Sequence, residues 1–507
     1  MSRTKKFVSN ATSSFLLQTT TLISGLIIPI LMIKTYGSEI NGLVSSVSQF
    51  VRYFTLVEAG LASASIYALF KPLADRDIKA ISGIVSATRV FYFRSGYFFL
   101  ALVLGCSFLY PFLVKTELLS SFQVGVLVLV LSCSGVLNFF VMAKYRALVT
   151  ADQKLYIINY LSVISIIVNT VIIVVLTRMD VDIVLLRTVA LVSVLIPPAV
   201  MHFYVNRYYS YVNYKASPNY EPLHKRWDAL ILQVLGMVQT SVPVILATIF
   251  TSLAQVSVYA IYAMVILGVQ QMIMIFSAGI QAAFGELIAL GDLEMFKKIY
   301  NQFEFMIYAI MTLFYSTVMV LLLPFVKLYT RGVTDVNYVQ PMMAFLFVLN
   351  ALLFSIKSPQ GTLVTSAGLF KETKYQTLTQ ASLAIILGAI FAKFAGLNGI
   401  LLGLIVSNIY RDIDLIIFIP KKLGNTKIMT TFKRVALVFI EFTLICLPFV
   451  YIDMSAANYI KWVGNGAIVF SYGVIVIVVV SLVFDRDAFG ASLGRLIGIV
   501  KGTRFGR

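Results

Sequence analysis

Leu148-Val149-Thr150 closes an apolar run ahead of a short basic loop, and Leu363-Val364-Thr365 does the same. Gln18, eleven residues before Pro29, returns as Gln233, ten residues before Pro243. Asp75-Arg76-Asp77-Ile78-Lys79 has a looser echo in Asp292-Leu293-Glu294-Met295-Phe296-Lys297. The three pairs share an offset of roughly 215 residues, which is the mark of an internal duplication. In a hydrophobic chain, two such halves usually enclose a substrate path. A transporter is therefore the first expectation.

Composition narrows the class. The chain has 507 residues, 59% hydrophobic and only 12% charged, with a mean hydropathy of +0.91. Soluble domains carry about 25% charged residues, so this is a polytopic membrane protein. Cys106, Cys133 and Cys446 all lie in apolar runs without paired spacing, which argues against a metal site or a disulfide framework. His202 and His224 are isolated and read as satisfied or solvent-facing. A net charge of +18 is explained by cytosolic loops before nucleic acid need be invoked. Arg3, Lys5 and Lys6 precede an apolar segment too long for a signal core, with no small-residue cleavage site after it.

Apolar stretches near twenty residues mark spanning helices. They fall near 10–34, 42–69, 88–113, 119–142, 155–176, 184–205, 229–250, 254–283, 303–326, 339–358, 375–395, 398–419, 433–452 and 462–484. An all-α bundle of about 14 transmembrane helices follows, because backbone polar groups in lipid must be bonded within each helix. With a cytosolic N-terminus, Lys and Arg divide about 29 inside to 8 outside, a strong positive-inside bias for an even number of spans. Both termini are then cytosolic. The expected organisation is an N-lobe over 1–205, a Tyr- and Lys-rich linker over 206–227, a C-lobe over 228–420, and an appended helix pair with a basic tail over 421–507. No loop has room for a soluble catalytic domain.

Polar residues inside the spans are the candidate functional groups. Asn10, Ser14, Gln18, Thr21 and Gly25 form one stripe on the first helix, and Ser45, Ser48, Gln49, Arg52 and Ser63 another on the second. Gln233, Gly236 and Thr240 follow on the seventh. Ser and Thr at such positions serve equally well as interhelical glue. Gln18 and Gln233 occupy matched positions in the two halves, which favours a water-filled cavity. Arg52 is the sharpest residue: mid-helix, where a lipid-facing charge would cost at least ~2.5–3.5 kcal/mol. Anion binding and a buried ion pair are both open to it, the latter with a partner such as Glu304 or Glu58 on another helix. Its repeat counterpart, near Gly268, carries no charge. Arg89 and Arg94 open the third helix, and Lys144, Arg146 and Lys357 close the fourth and tenth, mostly as anchors or snorkelling residues. Pro359 and Gly361 should break the helix just after Lys357. Glu441 is an isolated carboxylate in an appended helix, with pairing and proton coupling both open. Gly399 and Gly403 have close-packing spacing. No catalytic cluster and no phosphate-binding glycine loop is present, and no cofactor is implied. Guanidinium, amide and hydroxyl groups suit a polar, anionic substrate: phosphate and sugar.

Two segments carry a family resemblance. Tyr36-Gly37-Ser38-Glu39-Ile40-Asn41-Gly42-Leu43 resembles the first outer turn of bacterial polysaccharide flippases, and the stretch from Pro324 to Tyr338, with Lys327, Arg331, Gly332 and Asp335, resembles their turn between helices nine and ten. With duplicated halves, nearly the whole chain is similar to the Wzx-like branch of the multidrug/oligosaccharidyl-lipid/polysaccharide superfamily. The resemblance implies two six-helix lobes around a central cavity plus two appended peripheral helices. It also implies an undecaprenyl-pyrophosphate-linked oligosaccharide as substrate, carried across the bacterial cytoplasmic membrane by alternating access. Arg52 is then the leading residue for the anionic head, with Lys357, Arg89 and Arg94 behind it, and Gln18, Gln49 and Gln233 against sugar. Membrane lipids, and a polysaccharide polymerase or glycosyltransferases, would be its partners. A lipid II flippase and a multidrug antiporter of the same superfamily are the alternatives; the antiporter would want an acidic cavity. A membrane polymerase or ligase would need a large outer loop, and the outer turns are short.

Overall fold

The computed structural model describes residues 3–58, 61–114, 116–220, 226–278, 280–423 and 428–500, and every regular element among them is helical. In chain order these are α1 (Arg3–Phe54), α2 (Leu61–Asp75), α3 (Ile78–Leu113), α4 (Ser121–Leu137), a π turn (Asn138–Met142), α5 (Ala143–Ala151), α6 (Leu155–Thr177), α7 (Ile183–Tyr208) and α8 (Arg226–Phe250). Then come α9 (Leu253–Ala278), α10 (Ile280–Leu290), α11 (Leu293–Tyr329), α12 (Pro341–Ile356), α13 (Ser358–Ser366), α14 (Phe370–Leu423), α15 (Ile428–Cys446), α16 (Tyr459–Phe484) and α17 (Arg486–Val500). Among the described residues, ten helices are long and apolar enough to cross a membrane. The chain divides into two compact units: Met1–Ala260 with Val333–Val336, and Ile261–Gly332 with Asn337–Arg507.

Two helices are double-length. α1 and α14 have 52 and 54 residues, which at 1.5 Å per residue is roughly 80 Å, against a hydrocarbon core of about 30 Å. Each bends at a glycine with positive φ, Gly37 at 84° and Gly396 at 53°, so one element supplies two membrane-length segments.

Three sequence expectations need correction. The span expected over 42–69 is not one helix: α1 stops at Phe54, a 3-10 turn covers Thr55–Glu58, and α2 starts at Leu61. Arg52 therefore sits in the last turn of α1 rather than mid-helix. α3 begins ten residues earlier than expected, capped by Asp77, whose carboxylate accepts from Ala80 N at 2.9 Å. Arg89 and Arg94 thus lie well inside α3. The break expected at Pro359 and Gly361 falls instead at Lys357, and Pro359 enters the first turn of α13, where its missing N–H costs nothing.

The duplication is visible in hydrogen bonds. Leu148 and Leu363 each accept from the backbone N–H four residues on, Asp152 and Ala367. Thr150 and Thr365 accept from Gln153 and Gly368, and Val149 and Val364 from Lys154 and Leu369. Both helices end on a left-handed residue, Gln153 at φ 58° and Gly368 at φ 66°. The same holds before α3 and α11: Asp77 N and Asp292 N donate to Pro72 O and Leu287 O, and both aspartates cap the helix that follows. The left-handed residues here are Arg76 at 56° and Gly291 at 72°. Each of these pairs is 215 positions apart, so Asp292 matches Asp77, not Asp75. In the first copy a side-chain residue stands where the second has glycine, at a cost near 1 kcal/mol. Gln153→Gly is accordingly expected to stabilise the protein by about 1 kcal/mol, read as a raised unfolding midpoint in detergent.

The turn after α5 also anchors the start of α1. Asp152 is bonded by Lys6 (3.1 Å), Lys154 (2.7 Å) and the Tyr209 hydroxyl (2.6 Å). Burial pushes this carboxyl up, but the bonds from Lys154, Tyr209 and Lys6 outweigh it and hold it below its ordinary range. A depressed folded value makes the contribution complete above the unfolded pKa of about 3.9 and lost as pH falls through the folded value. Asp152→Asn should therefore destabilise the protein at neutral pH, by roughly 1 kcal/mol, with the difference shrinking as pH falls below about 3.9. Thermal unfolding across this pH range checks this.

Each unit covers one face of a long helix. In the first, the segment after α7 lies along α3: Asn213 N donates to Ser82 Oγ, Ser86 Oγ to Ala216 O, Asn219 N to Gly83 O and Arg89 Nη1 to Tyr214 O. In the second, α15 lies along α11: Arg434 Nη1 donates to Asn301 O and to Glu304, and Thr431 to Glu304. Asn301 and Glu304 are the positions that match Ser86 and Arg89 at the offset of 215. An irregular strap and an appended helix fill equivalent seats.

Candidate functional site

The polar stripe of α1 divides between packing and vacancy. Asn10 bonds Gln153 O and Tyr156 N, and Asn159 on α6 donates to both Ser13 and Ser14. These residues are interhelical glue. Gln18 Nε2 and Gln49 Oε1 are buried with no hydrogen-bond partner among the described residues. A buried amide atom without a partner calls for an explanation, and the two glutamines are the members of the stripe not used in packing. Gln233 lies in α8, and its side chain is outside the described residues. Arg52 and Arg94 are exposed, with no ion pair to either among the described residues. Glu304 is not a partner for Arg52, since it is taken by Arg434.

The cations come together elsewhere. Arg89 on α3 lies with its guanidinium 5.3 Å from the Phe93 ring centre. Lys144, two residues past the π turn, sits 4.7 Å from the Tyr145 ring and 5.9 Å from those of Phe93 and Tyr214. Both cations thus lie against the same Phe93 ring. No carboxylate lies within ion-pair distance of either among the described residues. Arg89 spends one N–H on Tyr214 O at 3.2 Å, and the Tyr214 hydroxyl is buried without a partner. Tyr145 and His202 are bonded to each other at 2.9 Å, and His202 to Asn206 at 3.0 Å. The result is a half-buried cluster rich in donors, with no carboxylate in ion-pair distance of either cation among the described residues, and walled by aromatic rings. Such a cluster suits an oxyanion, with ring faces beside it for apolar or sugar C–H surface. Sequence reasoning named Arg89 and set Lys144 aside as an anchor. Tyr214 had no signal at all, because only the fold returns the linker to α3.

The second unit treats its buried charges differently. Glu304 is 2% exposed and accepts from Arg434 (2.9 Å), Tyr300 (3.0 Å), Gln360 (3.0 Å) and Thr431 (2.8 Å). Arg434 also meets Asp485 at 2.8 Å. This network is closed and structural. Lys357 is already engaged: its ammonium donates to Asn408 at 2.5 Å, inside a group formed with Asn350 and Gln380. Glu441 is buried on α15 and shares a small cavity with Arg434, Ser481 and Asp485.

No family model and no curated protein matches the chain. Solved structures do. Over 95% of this chain and 100% of the other, it is similar to a structure described as lipid II flippase MurJ in an inward closed conformation, at a TM-score of 0.66 and 15% identity. It is also similar to a multidrug resistance MATE family transporter of the MOP superfamily, inward-facing, at 0.60 and 15% identity, covering 80% of this chain and 94% of that one. An outward-facing form of such a transporter gives 0.57 at 13% identity, covering 83% and 96%. At these identities the likeness is one of fold: the protein is a multi-pass, all-α membrane protein folded like these structures.

Proposed function

We propose that this chain is a flippase that carries a polyprenyl-pyrophosphate-linked oligosaccharide across the bacterial cytoplasmic membrane by alternating access, with both termini in the cytosol. The observation that carries the reading is the Arg89–Lys144 pair, two cations with no carboxylate within ion-pair distance among the described residues, beside a Tyr214 hydroxyl that has no hydrogen-bond partner there. A pyrophosphate supplies acceptors and the opposite charge. Gln18 and Gln49, whose buried amide atoms lack partners, offer contacts to sugar hydroxyls, and Arg52 a further exposed cation. A lined polar path spares the head group the cost of hydrocarbon, while the polyprenyl tail stays in lipid. Glycosyltransferases that build the substrate, or a polymerase that consumes it, are the expected partners. The multidrug alternative shares the fold likeness, but an acidic cavity would suit it better than a cluster of cations with no carboxylate within ion-pair distance among the described residues.

The lipid II reading keeps one specific support: the likeness to that flippase spans nearly the whole chain. Both substrates present a pyrophosphate, so the cation pair does not separate them. Depleting the protein and identifying the lipid-linked intermediate that accumulates on the inner leaflet does. Accumulation of a polyprenyl-linked oligosaccharide is the expected result. A build-up of peptidoglycan precursor alone assigns the second substrate, and no build-up of either removes the flippase reading.

A further inference from the structure

We propose that Asp412 and Lys357 form a proton-exchange site inside the second unit, through which translocation is coupled to the proton gradient. The coupling, though not the site itself, rests on the flippase reading.

Asp412 lies on α14, 5% exposed, and neither carboxylate oxygen has a hydrogen-bond partner among the described residues. Every nearby donor is committed elsewhere. Asn408, one turn earlier on the same face, uses its Oδ1 to accept from Lys357 (2.5 Å) and Gln380 (3.1 Å), and its Nδ2 to donate to Asn350 (2.9 Å). Arg411 turns to Asp414 at 2.5 Å. The Tyr308 hydroxyl from α11 donates to Ile356 O and accepts from Gln360. Arg434 on α15 is held by Glu304 and Asp485.

That leaves Lys357, bonded to Asn408 one turn before Asp412 on the same helix face, as the cation beside this carboxylate. A buried carboxylate without a donor cannot remain ionised alone; it needs a cation beside it or a proton on it. Lys357 caps the end of α12 and the start of α13, so its ammonium hangs from a helix break, where a hinge movement is absorbed. While Lys357 faces the site, Asp412 is an anion. When α13 shifts and withdraws it, Asp412 takes up a proton, which is released as the lysine returns. A proton fits better than a metal ion here. The ammonium already occupies the amide-oxygen cluster, and among the described residues no group of three or more His, Cys, Asp or Glu could hold a metal.

Two measurements on the purified full chain test this. The first is infrared difference spectroscopy between about pH 5 and about pH 9, the range of perturbed carboxyls. Wild type should show a carboxylic C=O band that titrates and disappears in Asp412→Asn, with gel filtration confirming that the variant is folded. Lys357→Met should move the midpoint up by about one pH unit or more. A band unchanged in both variants overturns the site. The second is flipping of a fluorescent undecaprenyl-pyrophosphate-linked disaccharide in proteoliposomes. An imposed difference of one pH unit should shift the wild-type distribution by about tenfold per coupled proton, whereas Asp412→Asn should respond to no gradient. Wild-type flipping that ignores a pH gradient, or follows a sodium gradient instead, overturns the coupling and leaves the flippase reading intact. Wild type that flips nothing under any gradient refutes the substrate, and the infrared result then decides the site alone.

Discussion

Replacing Arg89 and Lys144 together by alanine is expected to abolish translocation of a polyprenyl-pyrophosphate substrate while leaving membrane insertion and purification unchanged. Each cation would give a charge-assisted hydrogen bond to a phosphate oxygen, worth about 1.5–3 kcal/mol, or roughly ten- to hundredfold in affinity. The double variant should therefore lose at least about a hundredfold. Arg89→Lys should recover part of the loss, because a point charge replaces the fork but still attracts the anion. Arg52→Ala in the same reconstituted assay should also stop transport, although the ring contacts of the cluster are made by Arg89 and Lys144. Binding of inorganic pyrophosphate separates the two effects: it should fail in the Arg89/Lys144 variant and persist in Arg52→Ala. Full flipping by the double variant would refute the anion seat.

The largest loss of stability is expected from Arg434→Met. Arg434 and Glu304 are 4% and 2% exposed, and removing the cation leaves a carboxylate in the interior of the second unit. Breaking a buried pair from one side costs about 3–5 kcal/mol. Adding Glu304→Gln to the same protein should restore most of it, since the amide still accepts from Tyr300 and Thr431 without carrying charge. Thermal unfolding in detergent of both singles and the double completes the cycle. If Arg434→Met unfolds at the wild-type temperature, the network contributes nothing to the fold.

Apolar run length made most spans legible: the expected 155–176 and 184–205 match α6 and α7 within a few residues. The duplication was legible from Leu148-Val149-Thr150 because those residues sit in a turn whose backbone geometry recurs. The echo at Asp75 was misaligned for a physical reason. The left-handed residue before α3 is Arg76, where the matching turn has Gly291, so the glycine that would have flagged the turn is absent. Arg52 was misplaced because hydrophobicity continues through the 3-10 turn that ends its helix. The cation seat was half legible. Arg89 stood out as a charge in a span, but Lys144 looked like a snorkelling residue until Tyr214 and Phe93 were seen around it. Asp412 passed unnoticed near the cytosolic end of an expected span, and its relation to Lys357, 55 positions earlier, depends wholly on how α12 meets α14.

The unequal covering of α3 and α11 sets an order of assembly. The strap over α3 is complete once residue 220 has been made, so the first unit can close its own surface early in synthesis. Glu304 on α11 has to wait for Thr431 and Arg434, more than a hundred residues later. Over that interval the nascent second unit carries an uncompensated acid, a feature that quality-control proteases and insertases would meet before the last helices arrive.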